Sequence, residues 1–136
     1  MIERLSSGGP WEDVVGYSRV VRAGDLLLTA GCTSVVEGAV THPGNAYRQA
    51  LSAFDLALSQ LARLGAHPHD VVQTRMYLVD AADADAVGRA HSELFGDVRP
   101  VATMVQVAGL ADPAMLVEVE VVAYRPAGSP VGERST

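Results

Sequence analysis

The segment from Met115 to Tyr124 is the sequence feature that most constrains the fold. Small apolar side chains alternate there with a second set, so that Val117, Val119, Val121 and Ala123 are interleaved with Glu118, Glu120, Val122 and Tyr124. A period of two places the first set on one face of a β-strand and the second set on the other. The chain must therefore build a sheet with one buried face, and the opposite face carries two carboxylates beside apolar side chains.

The segment from Val71 to Val79 predicts a second long strand, because most of its residues are β-branched or apolar. Strict alternation separates Val72, Thr74, Met76 and Leu78 from Val71, Gln73, Arg75, Tyr77 and Val79. Neither face is fully polar. A charge in the middle of such a strand is costly unless it is paired or bound, so Arg75 is a candidate functional residue.

Short apolar runs bounded by turn residues predict the remaining strands. Gly16 to Ala23 and Leu26 to Ala30 flank Gly24-Asp25 and are expected to form a hairpin. Ala102 to Val107 predicts a further strand, and Glu37-Gly38 suggests a second turn.

Two segments have the apolar spacing of amphipathic helices. The first runs from Asn45 to Leu64 and stops at Gly65, with Gln49 on its exposed polar face. The second runs from about Ala82 to Phe95. His91 lies on the apolar stripe of this second helix, where a histidine hydrogen-bonded in the core is favoured over a general base.

The elements follow the order β-β-(β)-α-β-α-β-β, which predicts an α+β fold with a mixed sheet and two helices on one face. The length of 136 residues fits one domain, predicted over residues 1–125, with a flexible tail over 126–136. The second face of the sheet is partly apolar and has no helix to cover it. Contacts between subunits are expected to complete it, so the sequence predicts a homo-oligomer.

Charge and composition argue against several classes of function. The net charge is -6 and all ten basic residues are arginines spread along the chain, so nucleic-acid binding is not expected. Cys32 is the single cysteine and the four histidines have no ligand spacing, so neither an internal disulfide nor a metal site is predicted. No apolar run reaches the roughly 20 residues of a membrane span. A cytoplasmic protein without membrane contact is expected.

Five segments resemble, in order, the sequence of the RidA (YjgF) family. They are GYSRVVRAGDLLLTAG (Gly16 to Gly31), DVVQTRMYLVD (Asp70 to Asp80), AVGRAHSELFGDVRP (Ala86 to Pro100), RPVATMVQVAGL (Arg99 to Leu110) and LVEVEVVAY (Leu116 to Tyr124). The resemblance covers about residues 10 to 125. It implies a chorismate-mutase-like homotrimer with ligand clefts between neighbouring subunits. It also implies hydrolysis of reactive enamines or imines to 2-oxo acids and ammonia, with no metal or organic cofactor.

The family's site positions match this sequence only in part. Its tyrosine in the first strand corresponds to Tyr17, and its glutamate in the last strand corresponds to Glu118. Four polar positions carry small or apolar residues here: the carboxylate-binding arginine falls on Ala102, the serine on Ala30, the asparagine on Gly88 and the cysteine on Met104. The sequence is therefore similar to branches of the family that lack this arginine.

Each candidate site residue has a structural alternative. Glu118 is the predicted catalytic proton carrier or a carboxylate at a subunit seam, and Tyr17 contacts the substrate or packs the hairpin. Arg75 supplies the missing cation or bridges to an acid of the neighbouring subunit. Thr103 is counted with the substrate-binding candidates, although a structural role is the alternative for it and for Cys32.

Two functions remain open at this point. The chain is an enamine or imine hydrolase of the deaminase type, or it is a non-catalytic trimer that binds a small molecule and regulates another process. In both cases the expected pocket is roomier and less polar than the family's, which suits a larger or less charged ligand. Endoribonuclease activity, a third label attached to this family, fits poorly with an acidic chain.

Overall fold

The sheet of this protein is assembled from strands that lie far apart in the sequence. The computed structural model describes residues 1–126 and 128, and in this part the chain forms eight strands and two α-helices. The strands are β1 (Ile2–Leu5), β2 (Val20–Ala23), β3 (Leu26–Thr29), β4 (Val35–Val36), β5 (Ala39–Val40), β6 (Val71–Leu78), β7 (Val101–Gln106) and β8 (Val117–Tyr124). The helices are α1 (Ala46–Ala62) and α2 (Ala84–Phe95).

Six of these strands form one sheet in the order β1-β2-β3-β8-β6-β7. Neighbouring strands are antiparallel except for β6 and β7, which are parallel and are connected through α2. The predicted α+β class and mixed sheet are confirmed. The edge strand β1 is not predicted from the sequence, because its four residues are too few to show an alternation.

A separate hairpin of β4 and β5 confirms the second turn suggested by the sequence. Glu37 and Gly38 both have positive φ angles, of 52° and 79°, which is the conformation of a tight two-residue hairpin turn.

Both helices pack on the sheet face that carries Val117, Val119 and Val121, all of which are fully buried. In α2, His91 is hydrogen-bonded to Thr74 Oγ1 at 2.8 Å. Its ring also contacts the Phe95 ring, with the centroids 4.9 Å apart, and burial lowers its pKa. These contacts are those of the predicted core histidine.

Gln49 lies on the buried side of α1, and the prediction that it is exposed is wrong. Its amide nitrogen donates to the carbonyl oxygens of His42 and Ala114, and its side-chain oxygen accepts from the backbone nitrogen of Leu116. Most of the remaining buried stripe is alanine, namely Ala46, Ala50, Ala53 and Ala57. These small side chains let α1 approach the sheet closely, so the buried Gln49 amide reaches backbone groups of the segment that leads into β8 and is itself fully hydrogen-bonded.

A β-bulge at the start of β6 changes which residues face the helices. The pairing with β8 shifts between Val71 and Gln73. As a result Val71 is buried together with Thr74, whereas Val72 is exposed. Strict alternation predicts the reverse for both valines, and the extra residue of the bulge is the physical reason for the difference.

The face of the sheet opposite the helices is open within the described residues, as the sequence predicts. Apolar side chains are exposed there beside the carboxylates, and they include Leu26, Leu28, Val101, Val105 and Tyr124. Exposed apolar area of this kind marks a contact surface. The homotrimer itself stays a prediction.

The predicted tail over residues 126–136 lies outside the described residues except for Pro126 and Gly128. Among the residues that the structure describes, no helix is long and apolar enough to cross a membrane.

Candidate functional site

Glu118 lies near the start of β8 and lines a cleft of about 350 Å³ on the open face. Its neighbours in the cleft come from adjacent strands and from the loop after β7: Gly31, Tyr77, Val107, Gly109, Leu110 and Glu120. The register of the sheet explains this group, because Tyr77 on β6 pairs directly with Glu118 on β8. The cleft therefore combines two carboxylates and a phenol with an apolar loop.

Gly31 leaves the space that the Glu118 carboxylate occupies. Leu28 pairs with Val122 and Cys32 pairs with Val119, so four steps along the first segment match three steps along β8. The extra residue is a β-bulge, a feature that is frequent beside active sites. A Cβ atom on Gly31 would lie 2.8 Å from the carboxyl carbon of Glu118, so a side chain there would have to displace the carboxylate.

The surroundings of Glu118 favour its protonated form. Burial raises the pKa of its carboxyl group, the charge of Glu120 raises this pKa further, and the charge of Arg19 opposes both effects. Glu120 accepts a hydrogen bond from the Tyr77 hydroxyl, and this bond raises the pKa of Tyr77. Two carboxylates in different environments are an arrangement suited to proton transfer.

Arg19 is a buried residue of this region that the sequence analysis missed. It is 9% exposed; its Nη1 donates to the Gly31 carbonyl oxygen at 2.6 Å and its Nη2 to the Tyr17 hydroxyl at 3.2 Å. A signal was available, since Arg19 directly precedes an apolar strand, where a charge needs partners. Arg19 connects Tyr17 to the strand end beside Glu118.

Glu12 lies beside Arg19 and binds the loop that precedes it. It begins a π-helical turn, Glu12–Gly16, and its buried carboxylate accepts hydrogen bonds from the hydroxyl and amide of Ser7 and from the amide of Gly9. Its Oε2 lies 3.7 Å from Arg19 Nε. Burial alone would raise the pKa of Glu12, but hydrogen bonds from Ser7, Ser6 and Gly9 outweigh it and lower the pKa to about 2.

We expect Glu12 to stabilise the fold in a pH-dependent manner. The pKa is depressed in the folded chain, so the contribution is fully present above pH 4.5, the ordinary value, and disappears as the pH falls toward 2. Thermal unfolding of the unaltered chain and of Glu12→Gln should therefore differ most above pH 4.5 and converge in acid. Glu3→Gln, at an exposed position on β1, is the matched control. A difference that stays constant across this range would contradict the assignment.

The predicted site residues on or beside the open face are Tyr17, Ala30, Arg75, Thr103 and Glu118. Arg75 is exposed and lies in register between Glu120 and Thr103, outside the lining of the Glu118 cleft. Tyr17 lines a different cleft of about 520 Å³, together with Arg4, Glu12 and Val21 among others. The backbone nitrogen of Ala30 donates to the carbonyl oxygen of Arg19 at 2.9 Å. Arg19 thus links Tyr17 and Ala30 to the Glu118 cleft.

The other predicted site residues lie on the helix side of the sheet. Ala102 and Met104 alternate with Thr103 along β7 and pair with Thr74 and Met76, whose side chains are buried beneath the helices. Gly88 lies in α2, and the position of its missing Cβ atom is open space. A single subunit therefore does not bring these residues into one cleft with Glu118.

The structure gives Cys32 the surroundings of an unreactive residue. Its side chain is fully buried, and burial raises the pKa of the thiol. Within residues 1–126 and 128, no group of three or more histidine, cysteine, aspartate or glutamate side chains is arranged to hold a metal ion.

Comparison with known proteins assigns the chain to a recognised family. Residues 11–125 match the family described as endoribonuclease L-PSP. An uncharacterized protein of Streptomyces coelicolor is 44% identical over 124 residues, which cover 91% of this chain and 92% of the relative. The 3-aminoacrylate deaminase RutC of Acinetobacter baylyi is 29% identical over 109 residues, which cover 79% of this chain and 86% of that protein.

A solved structure shows the same fold. The crystal structure of a Mycobacterium tuberculosis protein, a member of the highly conserved YjgF/YER057c/UK114 family, matches with a TM-score of 0.83 and 38% identity. The match covers 91% of this chain and 99% of that chain. The chain therefore belongs to the endoribonuclease L-PSP family, which is the RidA (YjgF) family that its sequence resembles.

Proposed function

We propose that this protein is a hydrolase of the deaminase type that acts on an enamine, an imine or a related small metabolite. The observation that carries the proposal is the cleft of about 350 Å³ in which Glu118, with its raised pKa, lies beside Glu120 and Tyr77. In the proposed step, water adds to the carbon of the C=N bond and the C–N bond then breaks to release ammonia. An enamine first takes a proton at carbon to become the imine. As water adds, the Glu118 carboxylate takes one proton from the water and passes it to the nitrogen. As the C–N bond breaks, Glu118 takes the remaining hydroxyl proton and passes it to the departing nitrogen, so the products are a carbonyl compound and ammonia. The step uses neither a metal nor an organic cofactor.

We further propose that the complete site lies between subunits of a homotrimer. The division of the predicted site residues between the two sheet faces supports this, because one copy alone offers two incomplete halves. The Glu118 cleft of one subunit would meet the Ala102 and Met104 edge of the next, while the exposed apolar face would be covered. The proposed domain of residues 1–125 contains every residue of this site.

The proposed substrate is larger or less negatively charged than a simple 2-imino acid. Ala102 offers no cation to a carboxylate, and the cleft contributes two carboxylates of its own. Such a pocket is expected to hold its ligand mainly by apolar contact. Among the open-face residues, we assign Tyr17, Arg75 and Thr103 to substrate contacts at the assembled interface.

The relative RutC, a 3-aminoacrylate deaminase, supports a reaction of this class, although at 29% identity it supports the type of chemistry and not the substrate. Endoribonuclease activity, which the family description mentions, receives no support from the cleft. RNA binding requires cations that neutralise phosphates, whereas the cleft presents Glu118 and Glu120 and the chain has a net charge of -6.

A non-catalytic small-molecule-binding or regulatory trimer is the second candidate function. It is favoured by the replacement of four polar family positions with Ala30, Gly88, Ala102 and Met104. Release of ammonia from a panel of enamines and imines generated in the assay separates the two. Acceleration above the spontaneous rate supports the hydrolase, whereas binding without acceleration for every member supports the regulatory trimer.

We expect a homotrimer in solution. Light scattering at micromolar concentration should return three times the 14.3 kDa mass of one chain. Leu28→Glu, which places a charge among the exposed apolar side chains of the open face, should shift the mass toward the monomer. A monomer mass for the unaltered chain would contradict the proposed assembly.

We expect Gly31→Ala to reduce turnover strongly while changing stability little. Gly31 does not have a positive φ, and a new Cβ atom would meet the flexible end of Glu118, so the strand can stay in place. The melting temperature should fall by less than about 4 °C. Gly38→Ala is the converse control, since Gly38 has a φ of 79° and lies in a remote turn. It should lose stability and keep activity. Full turnover by Gly31→Ala would show that the carboxylate position is unimportant.

A further inference from the structure

We propose that Arg19 is the positioning residue of the Glu118 cleft, holding Tyr17 and the Gly31 backbone so that the Glu118 carboxylate stays in place. This inference rests on the proposed function only for its effect on turnover. The placement of Glu118 can be tested without any substrate. Arg19 falls on none of the family's site positions that the sequence matches.

The geometry supports this role through two hydrogen bonds of one guanidinium group. Nη1 donates to the carbonyl oxygen of Gly31 at 2.6 Å, and Nη2 donates to the hydroxyl of Tyr17 at 3.2 Å. The guanidinium carbon also lies 5.4 Å from the centroid of the Tyr17 ring. A planar fork with several donors is suited to such a double contact, which the single ammonium group of lysine cannot reproduce.

Gly31 transmits the position of Arg19 to Glu118. The Gly31 backbone directly adjoins the carboxylate, since a Cβ atom there would overlap it. The bulge leaves this segment without regular pairing to β8 between Leu28 and Cys32. Arg19 therefore supplies an attachment at a point where the ladder is interrupted.

The Arg19 side chain is buried, which restricts it to the conformation that makes these contacts. The residue is 9% exposed, and Nε is buried without a hydrogen bond, 3.7 Å from the Glu12 carboxylate. Arg19 does not line the cleft of Glu118, so it acts through its neighbours and not by contact with a ligand there.

Besides its hydrogen bonds, the positive charge of Arg19 favours the ionised form of Glu118. The ionisable groups around Glu118 are Glu120 on its own strand, Tyr77 on β6, Cys32 after β3 and Arg19 before β2. Burial and Glu120 raise the pKa of Glu118, and Arg19 is the group that lowers it. Removing the guanidinium should therefore raise the pKa of Glu118 still further.

The test is a titration of the Glu118 carboxyl carbon by NMR in the unaltered chain, in Arg19→Lys and in Arg19→Met. The midpoint should rise in Arg19→Met, and Arg19→Lys should recover part of the change because it keeps the charge. If substrate is turned over, kcat should fall in both variants by a larger factor than KM rises. The loss should be smaller than the roughly 10²–10⁴-fold effect of losing the acid–base group itself.

Arg22→Met is the matched control. Arg22 on β2 donates to the carbonyl oxygens of Gly24, Leu64 and Arg125, none of which belongs to the cleft. It should lose stability and leave the Glu118 midpoint unchanged. An unchanged midpoint in Arg19→Met as well would overturn the inference.

A measurement on the unaltered chain decides the matter if the variants do not fold. The guanidinium nitrogen resonances of Arg19 should shift with the same midpoint as Glu118, and those of Arg22 should not. Insensitivity of the Arg19 resonances would also overturn the inference. A shifted midpoint in a protein that turns over no substrate would uphold Arg19 as the positioning residue and count against the hydrolase alone.

Discussion

Replacement of Glu118 by glutamine is expected to lower turnover by roughly 10²–10⁴-fold, the range found when a general acid–base group is removed. The variant keeps the shape of the side chain, and Glu118 is only partly buried, so the fold and the assembly should be preserved. The effect is large because Glu118 is the proposed proton carrier, whereas Glu120 is engaged with the Tyr77 hydroxyl. Ammonia release by the two chains, measured over a range of pH, provides the comparison.

The pH dependence gives this prediction a second readout. Burial and the nearby Glu120 raise the pKa of Glu118, so the acid limb of the profile should lie above the range of an exposed glutamate. This limb should be absent from the residual activity of Glu118→Gln. Glu3→Gln, which removes an exposed carboxylate from the edge strand β1, should behave like the unaltered chain. Undiminished turnover by Glu118→Gln would mean that the proton carrier is another group.

The unaltered chain is expected to hydrolyse 2-aminoacrylate slowly or not at all, and Ala102→Arg is expected to increase the rate. Hydrogen bonds to a charged group contribute about 1.5–3 kcal/mol. If the hydrogen bond is present in the transition state, this free energy corresponds to roughly a ten- to hundredfold change in rate. Ala102 is exposed on the edge strand β7, so the longer side chain can be accommodated. A coupled assay in which a pyridoxal-phosphate dehydratase generates 2-aminoacrylate measures this rate.

Ala82→Arg provides the control for the added charge. It makes the same substitution at an exposed position in the turn before α2, away from the cleft, and should leave the rate unchanged. Rapid hydrolysis of 2-aminoacrylate by the unaltered chain would contradict the substrate class proposed above. It would require a different cation, with Arg75 the first residue to replace.

Local sequence pattern was sufficient to predict the main elements of the fold. The alternation in β8 identifies both the buried face and the face that carries Glu118, because successive side chains of a strand point to opposite faces of the sheet. The pattern failed where the chain departs from regular geometry. The bulge at Val71 exchanges the faces of two valines, and Gln49 is buried because backbone groups from a distant segment need its amide.

The candidate site was predicted in outline, with its central residue but without its supporting contacts. Glu118 could be found because it alternates with buried valines and matches a family position. Arg19 acts by binding the backbone carbonyl oxygen of Gly31, and Gly31 acts by leaving space for the Glu118 carboxylate. Neither contact can be predicted from the type of residue alone. Arg75, which the sequence singled out by its charge, lies in register with Glu120 on the exposed face.

The division of the site between subunits can be tested most directly by mixing two inactive variants. Glu118→Gln removes the proton carrier, and Ala102→Trp blocks the opposite half of the proposed cleft. If each cleft takes Glu118 from one subunit and position 102 from the next, random mixed trimers restore about a quarter of the native clefts. Ammonia release should recover to about that fraction after the variants are mixed, unfolded and refolded together, while each variant refolded alone stays inactive. No recovery, with native mass spectrometry showing that mixed trimers have formed, would contradict an intersubunit site.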